Sequence, residues 1–440
     1  MSEAMDERKR GKETFVDAVK AHHQRLNGGA GGWVHDLRLA GLQRFEDQGL
    51  PTGKLEGWRY TNVKPIVAKP FMPVKPATLD ATALEGVGGA VTEGYRVVLN
   101  NGCFDSALST LEDLPSGVVV MSLAEALKEQ PALVERYLGK HVNIETEAFA
   151  ALNTAFLEGG LLIVVPKGVV LDKPIHFLCV TSVESTAALH PRCVVALEEN
   201  SQASFYESYQ GVGDAVYLNN CVTEFHLGEN ANLTHIRLQD ESPNAYHIAS
   251  LAVRQQRSSQ LNSHIISLGG ETARTNIEAS VNGEGADCRL HGLYWVDGRR
   301  HADIHIVMDH AKAHGTSLQY FKGMLDDKGT SVFDGRVVVR EGAQKIDAVQ
   351  RNNNLLLSKQ AQANTRPQLE IYADDVKCAH GATVGQLDEN QVFYLRSRGL
   401  DLETARRELT HAFANEVLAS VKDMTVRESL ESLVRARLTR

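Results

Sequence analysis

A chain of 440 residues is longer than one compact core of ordinary size. It implies two or three domains, or one elongated domain with smaller additions. With 43% hydrophobic and 23% charged residues the composition is that of a folded, water-soluble protein, and a net charge of -9 argues against general attraction to nucleic acid or anionic lipid. The longest purely apolar run, 161–165, is far too short to span a bilayer. The opening "MSEAMDERKRGKETF" lacks the apolar segment of a secretory signal, so a cytoplasmic location with no membrane association is expected. Six cysteines (Cys103, Cys179, Cys193, Cys221, Cys288 and Cys378) are scattered without a Cys-x-x-Cys pair. They read as reduced thiols, most of them in the core. Neither a disulfide framework nor a self-contained zinc ribbon or cluster motif is expected.

The first region, 1–158, reads as mostly helical. Helical spacing of apolar residues is visible over 13–26 and 33–45, the latter through Val34, Leu37 and Leu42. The "GGAGG" at 28–32 separates them as a flexible turn; no strand precedes it, so it is not a dinucleotide loop. After "LEGWRYTNVKPI" (55–66) an extended stretch is expected, with four prolines between Pro65 and Pro76. Further helices are predicted over 122–129, 133–139 and 145–157.

At "GGLLIVVPKGVVLDKPIHFLCV" (159–180) the pattern changes. Short runs rich in Val, Ile, Thr, Phe and Tyr now alternate with Gly, Asn and Asp turns, and no long amphipathic helix is apparent as far as 372. The segments "VALEENSQASFY", "FHLGENANLTHI", "VRQQRSSQLNSHI" and "EASVNGEGADCRL" each run strand, polar turn, small residue, strand, recurring roughly every 28 to 30 residues. So much strand without crossover helices is large for a sandwich. A β-helix or β-solenoid over 159–385 fits better, each coil burying its apolar face against the next. The open end of such a stack needs a cap or a partner.

The last region, 386–440, returns to helix. Asp388 and Gln391 suit a capping box, Gly399 a helix stop, and a second helix is expected after Asp401 with Leu409, Phe413, Val417 and then Val421 on one face. Beyond Thr425 basic residues outnumber acidic ones, which fits either solvated helices or a docking surface.

Two stretches could carry chemistry. In "HADIHIVMDH", an extended backbone puts His301, Asp303 and His305 on one face, about 7 Å apart in succession and about 13 Å from first to last. One ion with bonds near 2 Å cannot span all three, so a structural role is expected. In "ADDVKCAHGATVGQ" (373–386), Cys378 and His380 fall on the same face as adjacent neighbours. They could share one soft metal ion, form a nucleophile with its base, or be a satisfied core pair; spacing alone leaves all three open. As metal ligands they need others from elsewhere in the fold or from another chain. No Walker-type loop, H-E-x-x-H, G-x-S-x-G or EF-hand pattern occurs, so no nucleotide site of its own is expected.

The stretch "LEIYADDVKCAHGATVGQLDENQVFYLRSRGL" (369–400) closely resembles the signature of the SufB/SufD family of iron–sulfur cluster assembly proteins. The segments "LEGWRYTNVKPI", "GLLIVVPKGVVLDKPI" and "DAVQRNNNLLLSKQAQANTRPQLEI" extend the resemblance over nearly the whole chain. SufB-like chains carry a cysteine directly after the Phe-Tyr of the signature, where this sequence has Leu395, and some have an N-terminal cysteine cluster that is missing here. The resemblance therefore lies on the SufD side. It implies a mainly β chain: a right-handed parallel β-helix between helical N- and C-terminal regions. It also implies a SufB-like partner joined through the β-helix end and a SufC-like ATPase held by the C-terminal helices, with a homodimer when the chain is isolated. His380, with Cys378 beside it, would serve as a ligand to a transient iron–sulfur cluster or iron at the shared interface. In such a complex, sulfur enters through SufB, so this chain is expected to be a non-catalytic scaffold. The rival readings are an autonomous metalloprotein using Cys378, His380 and the His301–His305 strand, and a β-helix carbohydrate-active enzyme.

Overall fold

The computed structural model describes residues 2–26, 32–74, 79, 94–183 and 186–439. Most of the "GGAGG" turn and Pro76 lie outside them. From Gly160 to Gly385 the described backbone alternates strand and turn with no helix. Successive long strands go to opposite parallel sheets. One sheet runs from Gly160–Val165 to Gln362–Ile371 and the other from Ile175–Thr181 to Lys377–Gly385, eight of these strands in each. The result is a β-solenoid of about eight turns. Register pairs Gly160 with Arg192, Tyr246 with Thr272 and Thr330 with Gln362, so a coil takes from 26 to 32 residues, a wider range than the sequence repeat suggests.

The repeated polar turns explain why these strands stack. Asn200, Asn230, Ser258, Gly285, His314 and Lys345 each have a positive φ, between 54° and 68°, at the same corner of successive coils. Asn and Gly tolerate this left-handed conformation best, which accounts for the "EENSQ", "GENAN" and "GEGAD" pattern. At each corner the N–H of that residue donates to a carbonyl one coil onward, as from Asn200 to Glu229 O (2.8 Å) and from Asn230 to Arg257 O (2.9 Å). The corner thus continues the ladder hydrogen bonding between strands.

Alternate residues of both sheets point inward and form one continuous core, from Val97 and Phe177 through Phe205, Phe225, Leu290 and Phe321 to Phe333. The N-terminal helices Ser2–Leu26, Trp33–Gln48 and Ala148–Ala155 cover the outside of the first sheet, where Phe15, Phe45, Phe71 and Phe149 cluster with Leu218, Tyr246 and Ile248. The C-terminal helices Leu402–Leu418 and Met424–Arg437 cover the outside of the second. There Val417, Val421, Leu430 and Val434 pack on Ile236, Ile266, Leu293 and Met324. Lys322 staples the first of these helices. Its buried ammonium donates to Glu416 Oε2 (2.6 Å) and Phe413 O (3.1 Å) and lies 4.0 Å from the Phe413 ring centre. Asp388 caps its helix by accepting from Asn390 N rather than through the box expected with Gln391, Asp401 accepts from Thr404 N at the start of the next helix, and Gly399 follows the first of these helices with φ 99°.

The N-terminal region differs from the mostly helical expectation in two ways. Tyr95–Asn100 extends the second sheet beyond Ile175–Thr181, and Val119–Ser122 pairs antiparallel with Gly160–Val165. These strands cap the first coil. They are too short to show a period of their own, and what fixes them is the sheet edge they complete. The proline stretch also begins as a short helix, Lys64–Val67, with Pro65 in its first turn, where its missing N–H costs nothing.

Candidate functional site

Among the described residues the other end of the solenoid has no such cap. Lys377–Gly385 pairs only with Asp347–Leu356, and Gln362–Ile371 only with Thr330–Val339; among the described residues their outer edges have no partner strand. Parallel register places Cys378 at the end of the inward column Cys288–Ser317–Ala348 and His380 at the end of Leu290–Gln319–Gln350. The earlier members of both columns are buried. Cys378 is half-buried against the end of the core, while His380 is exposed. Burial pushes the Cys378 thiol up, opposed by a hydrogen bond with the Ala348 backbone. Around them Ile371, Tyr372 and Val384 are 40, 61 and 46% exposed, so the rim is apolar where a further coil would sit. Among the described residues no three His, Cys, Asp or Glu side chains come together closely enough to hold a metal ion. Cys378 and His380 are therefore two donors on one face.

The other sequence candidate lies elsewhere, on the outside of the first sheet, and it is the docking site of the "LEGWRYTNVKPI" segment. Asp303 is buried in contact with Arg274 and Thr61, and His305 Nε2 lies 2.9 Å from Asp303 Oδ1. His301 shares hydrogen bonds with Thr61 (2.9 Å) and Thr330 (2.7 Å). Arg274 donates to Gly57 O (2.7 Å), and its guanidinium stacks 3.8 Å from the Trp58 ring centre. Desolvation acts to raise the Asp303 carboxyl, but Arg274 and His305 hold it far below the usual range.

The sequence reading missed a charged layer inside the solenoid. Glu207 accepts from Arg237 Nε (2.8 Å), Tyr209 (2.9 Å) and Thr223 (3.1 Å) and contacts His235 Nε2 (2.9 Å), all of them fully buried. Against the penalty of burial, Arg237 and His235 hold Glu207 down at about 2. One coil further, His247 sits 3.6 Å from Cys221 Sγ and 2.7 Å from Glu241 Oε2. Burial alone would lower His247, yet the Cys221 thiol and Glu241 carboxylate push it up to about 10. A signal did exist in "ASFYESYQ", where Glu207 takes an inward position between Phe205 and Tyr209.

The fold and its uncovered end define a class: a helix-flanked β-solenoid with a thiol and an imidazole at the last coil. Residues 9–177 match the family described as the SufBD protein N-terminal region, and residues 179–413 match the SufBD core domain of the SUF system for FeS cluster assembly. The chain is 35% identical over 397 residues to the iron–sulfur cluster assembly SufBD family protein slr0076 of Synechocystis, covering 88% of this chain and 87% of that one. It is 32% identical to the iron–sulfur cluster assembly protein SufD of Escherichia coli, covering 90% of each, and 26% identical to SufD of Bacillus subtilis, covering 91% and 93%. The chain belongs to the SufBD family of iron–sulfur cluster assembly proteins. Among the described residues no helix is long and apolar enough to cross a membrane.

Proposed function

We propose that this chain is the SufD-type scaffold subunit of a SufBCD-type complex. In this reading a SufB-like paralogue covers the open solenoid end, and a nascent iron–sulfur cluster is built as cargo between the two chains. His380 supplies an imidazole ligand from this side, with Cys378 as the neighbouring thiol, and the partner supplies the remaining donors. The observation that carries the reading is the pair of inward columns ending in a thiol and an imidazole at the solenoid end that has no cap among the described residues. Both side chains are of the kind that iron accepts, and two donors need completion from elsewhere.

The C-terminal helices are the proposed seat of a SufC-like ATPase. In support, helix Glu389–Ser397 leaves Phe393 and Tyr394 73 and 58% exposed, and it starts shortly after the last strand. Movement driven by the ATPase at that helix would act beside the cluster site. The chain itself is assigned no catalytic step. When isolated, it would cover the apolar rim with a second copy.

The test is His380→Ala in the co-expressed complex, read as iron and acid-labile sulfide per complex. The three subunits should still co-purify while cluster content collapses. Normal cluster content would overturn the ligand role.

A further inference from the structure

The segment 52–64 is anchored on one side and charged on the other. Trp58 and Thr61 are buried against Arg274 and Asp303 of the first sheet. Turn hydrogen bonds from Leu55 N to Thr52 O (2.9 Å), Trp58 N to Leu55 O (2.9 Å) and Thr61 N to Trp58 O (3.3 Å) fold the segment back on itself. A cavity of about 360 Å³ lies in this fold, with Thr52, Lys54, Arg59, Tyr60, Asn62 and Lys64 in its wall. The buried anchors explain why the segment docks. They do not explain three cations around one hollow.

Lys54, Arg59 and Lys64 are exposed, and none makes an ion pair with a described residue. The only carboxylate of the segment, Glu56, is turned away to Arg366 and is no part of the cavity wall. Three other cavities hold carboxylates beside the cations of their walls: Glu158 pairs with Arg25, Glu56 and Asp334 with Arg366, and Glu198 with Arg136. No acidic residue lines this one. In a chain with 55 acidic and 46 basic residues, the hollow reverses the overall charge locally. Like charges gathered in one loop repel, and an anion between them removes that repulsion.

The donors also suit one class of anion. The Arg59 guanidinium lies 5.6 Å from the centre of the Tyr60 ring, which keeps it at the wall. It offers paired N–H groups, while Lys54 and Lys64 bring point charges from the two ends of the segment. Thr52 Oγ1 accepts from Lys54 N (3.2 Å), leaving its O–H to donate, and Asn62 Oδ1 accepts from Lys64 N (3.1 Å), leaving its NH2 to donate. A carboxylate presents two oxygens in one plane and answers one side of such a wall. A phosphate group presents oxygens in every direction, and a diphosphate adds the charge to answer several cations at once.

We propose that this cavity binds a small phosphorylated anion, a diphosphate group in preference to a monophosphate, held by Arg59, Lys54 and Lys64. The inference is independent of the cluster site and of any partner chain.

The experiment is calorimetric titration of the full chain at low ionic strength, where exposed charges are least screened. The probes are pyrophosphate, inorganic phosphate and citrate. Pyrophosphate should saturate a single site and bind at least about tenfold more tightly than either of the others, as expected where one more charged hydrogen bond forms. Arg59→Gln, Lys54→Gln and Lys64→Gln should each weaken pyrophosphate, Arg59→Gln by about tenfold on the same basis. Arg257→Gln removes an exposed cation paired with Glu229 on a solenoid corner and should leave the affinity unchanged. Four results would overturn the proposal: no saturable binding at millimolar pyrophosphate, citrate bound as tightly, undiminished affinity in Arg59→Gln, or an equal loss in Arg257→Gln. The last would show general attraction to surface charge in place of a site. Saturation and the order of the three probes are read in the unsubstituted chain, so the test survives a variant that misfolds.

Discussion

Gln350 and His380 are neighbouring rungs of one inward column, yet Gln350 is sealed in the core and His380 stands in solvent. Gln350 donates to Gln319 Oε1 at 2.7 Å, continuing a ladder of side chains down the stem. What separates the two residues is the coil that would follow. Ala348 and Cys378 repeat the contrast one position away. A histidine and a cysteine that would be core residues anywhere else in the stack become accessible donors because the stack stops.

If the end is an interface, charge on its rim should break association without unfolding the chain. Val384 follows the same inward parity beside Asn354, and nearly half of it is exposed. Val384→Lys should abolish self-association of the isolated chain in sedimentation equilibrium and reduce capture of a SufB-like partner at least tenfold. Stability should change by less than about 0.5 kcal/mol, the usual range for an exposed position. A fully dimeric Lys variant would place the contact elsewhere.

The buried charged layer should matter to the stem itself. Glu207→Gln keeps the shape but leaves the Arg237 guanidinium without its counter-charge in the core. Stranding a buried partner in this way costs about 3–5 kcal/mol. The urea midpoint should fall accordingly, and the double change Glu207→Leu with Arg237→Leu should cost less than the sum of the single ones. Additive losses would show that the two residues do not act as a pair.

Local signals in the sequence carried the strands, the corner turns and the helix caps. Asn200 and Asn230 mark left-handed corners, Asp388 and Asp401 are caps, and the change of pattern near 159 marks the first coil. The capping strands Tyr95–Asn100 and Val119–Ser122 had no such signal, because pairing with a distant edge defines them. For the candidate site, spacing put Cys378 and His380 on one face but could not choose between core pair and ligand pair. That choice turns on whether another coil follows, and nothing in the spacing records it. The Glu207–Arg237 layer was hidden for a similar reason. A charged residue on an inward position looks like a break in the alternation until its partner one coil away is known.

Acid should weaken the stem through histidines buried in neutral form. Burial lowers His176 and His310 to about 4, only partly offset at His310 by Asp309, and with His291 lowers His264 to about 3. Once unfolded, each regains an ordinary pKa near 6.5, so below that pH the unfolded chain binds more protons than the folded one. Their contribution is therefore complete above about pH 6.5 and is lost progressively as the pH falls toward about 4. His310→Gln should flatten the dependence of unfolding free energy on pH by close to one proton, about 1.4 kcal/mol per pH unit, within that window. An unchanged slope would show that His310 is already protonated in the fold.

The N-terminal segment 55–66 is held to the first sheet by one buried ion pair as well as by apolar contact, and the two contributions can be separated. Arg274 joins Asp303 of the sheet to Gly57 and Trp58 of the segment, and Thr61 closes the same network. Arg274→Leu keeps the bulk but leaves the Asp303 carboxylate buried without its guanidinium partner, a loss of about 3–5 kcal/mol by the rule for stranded charges. The loss should be local, because the interior core lies on the other face of the same strands. Hydrogen exchange of backbone amides should quicken by at least a hundredfold in 55–67, while amides of Tyr217–Leu227 and Asn232–Asp240 keep their protection. Should 55–67 stay as protected as before, the Trp58, Val63 and Ile66 contacts alone hold the segment, and the "HADIH" polar face is only its lining.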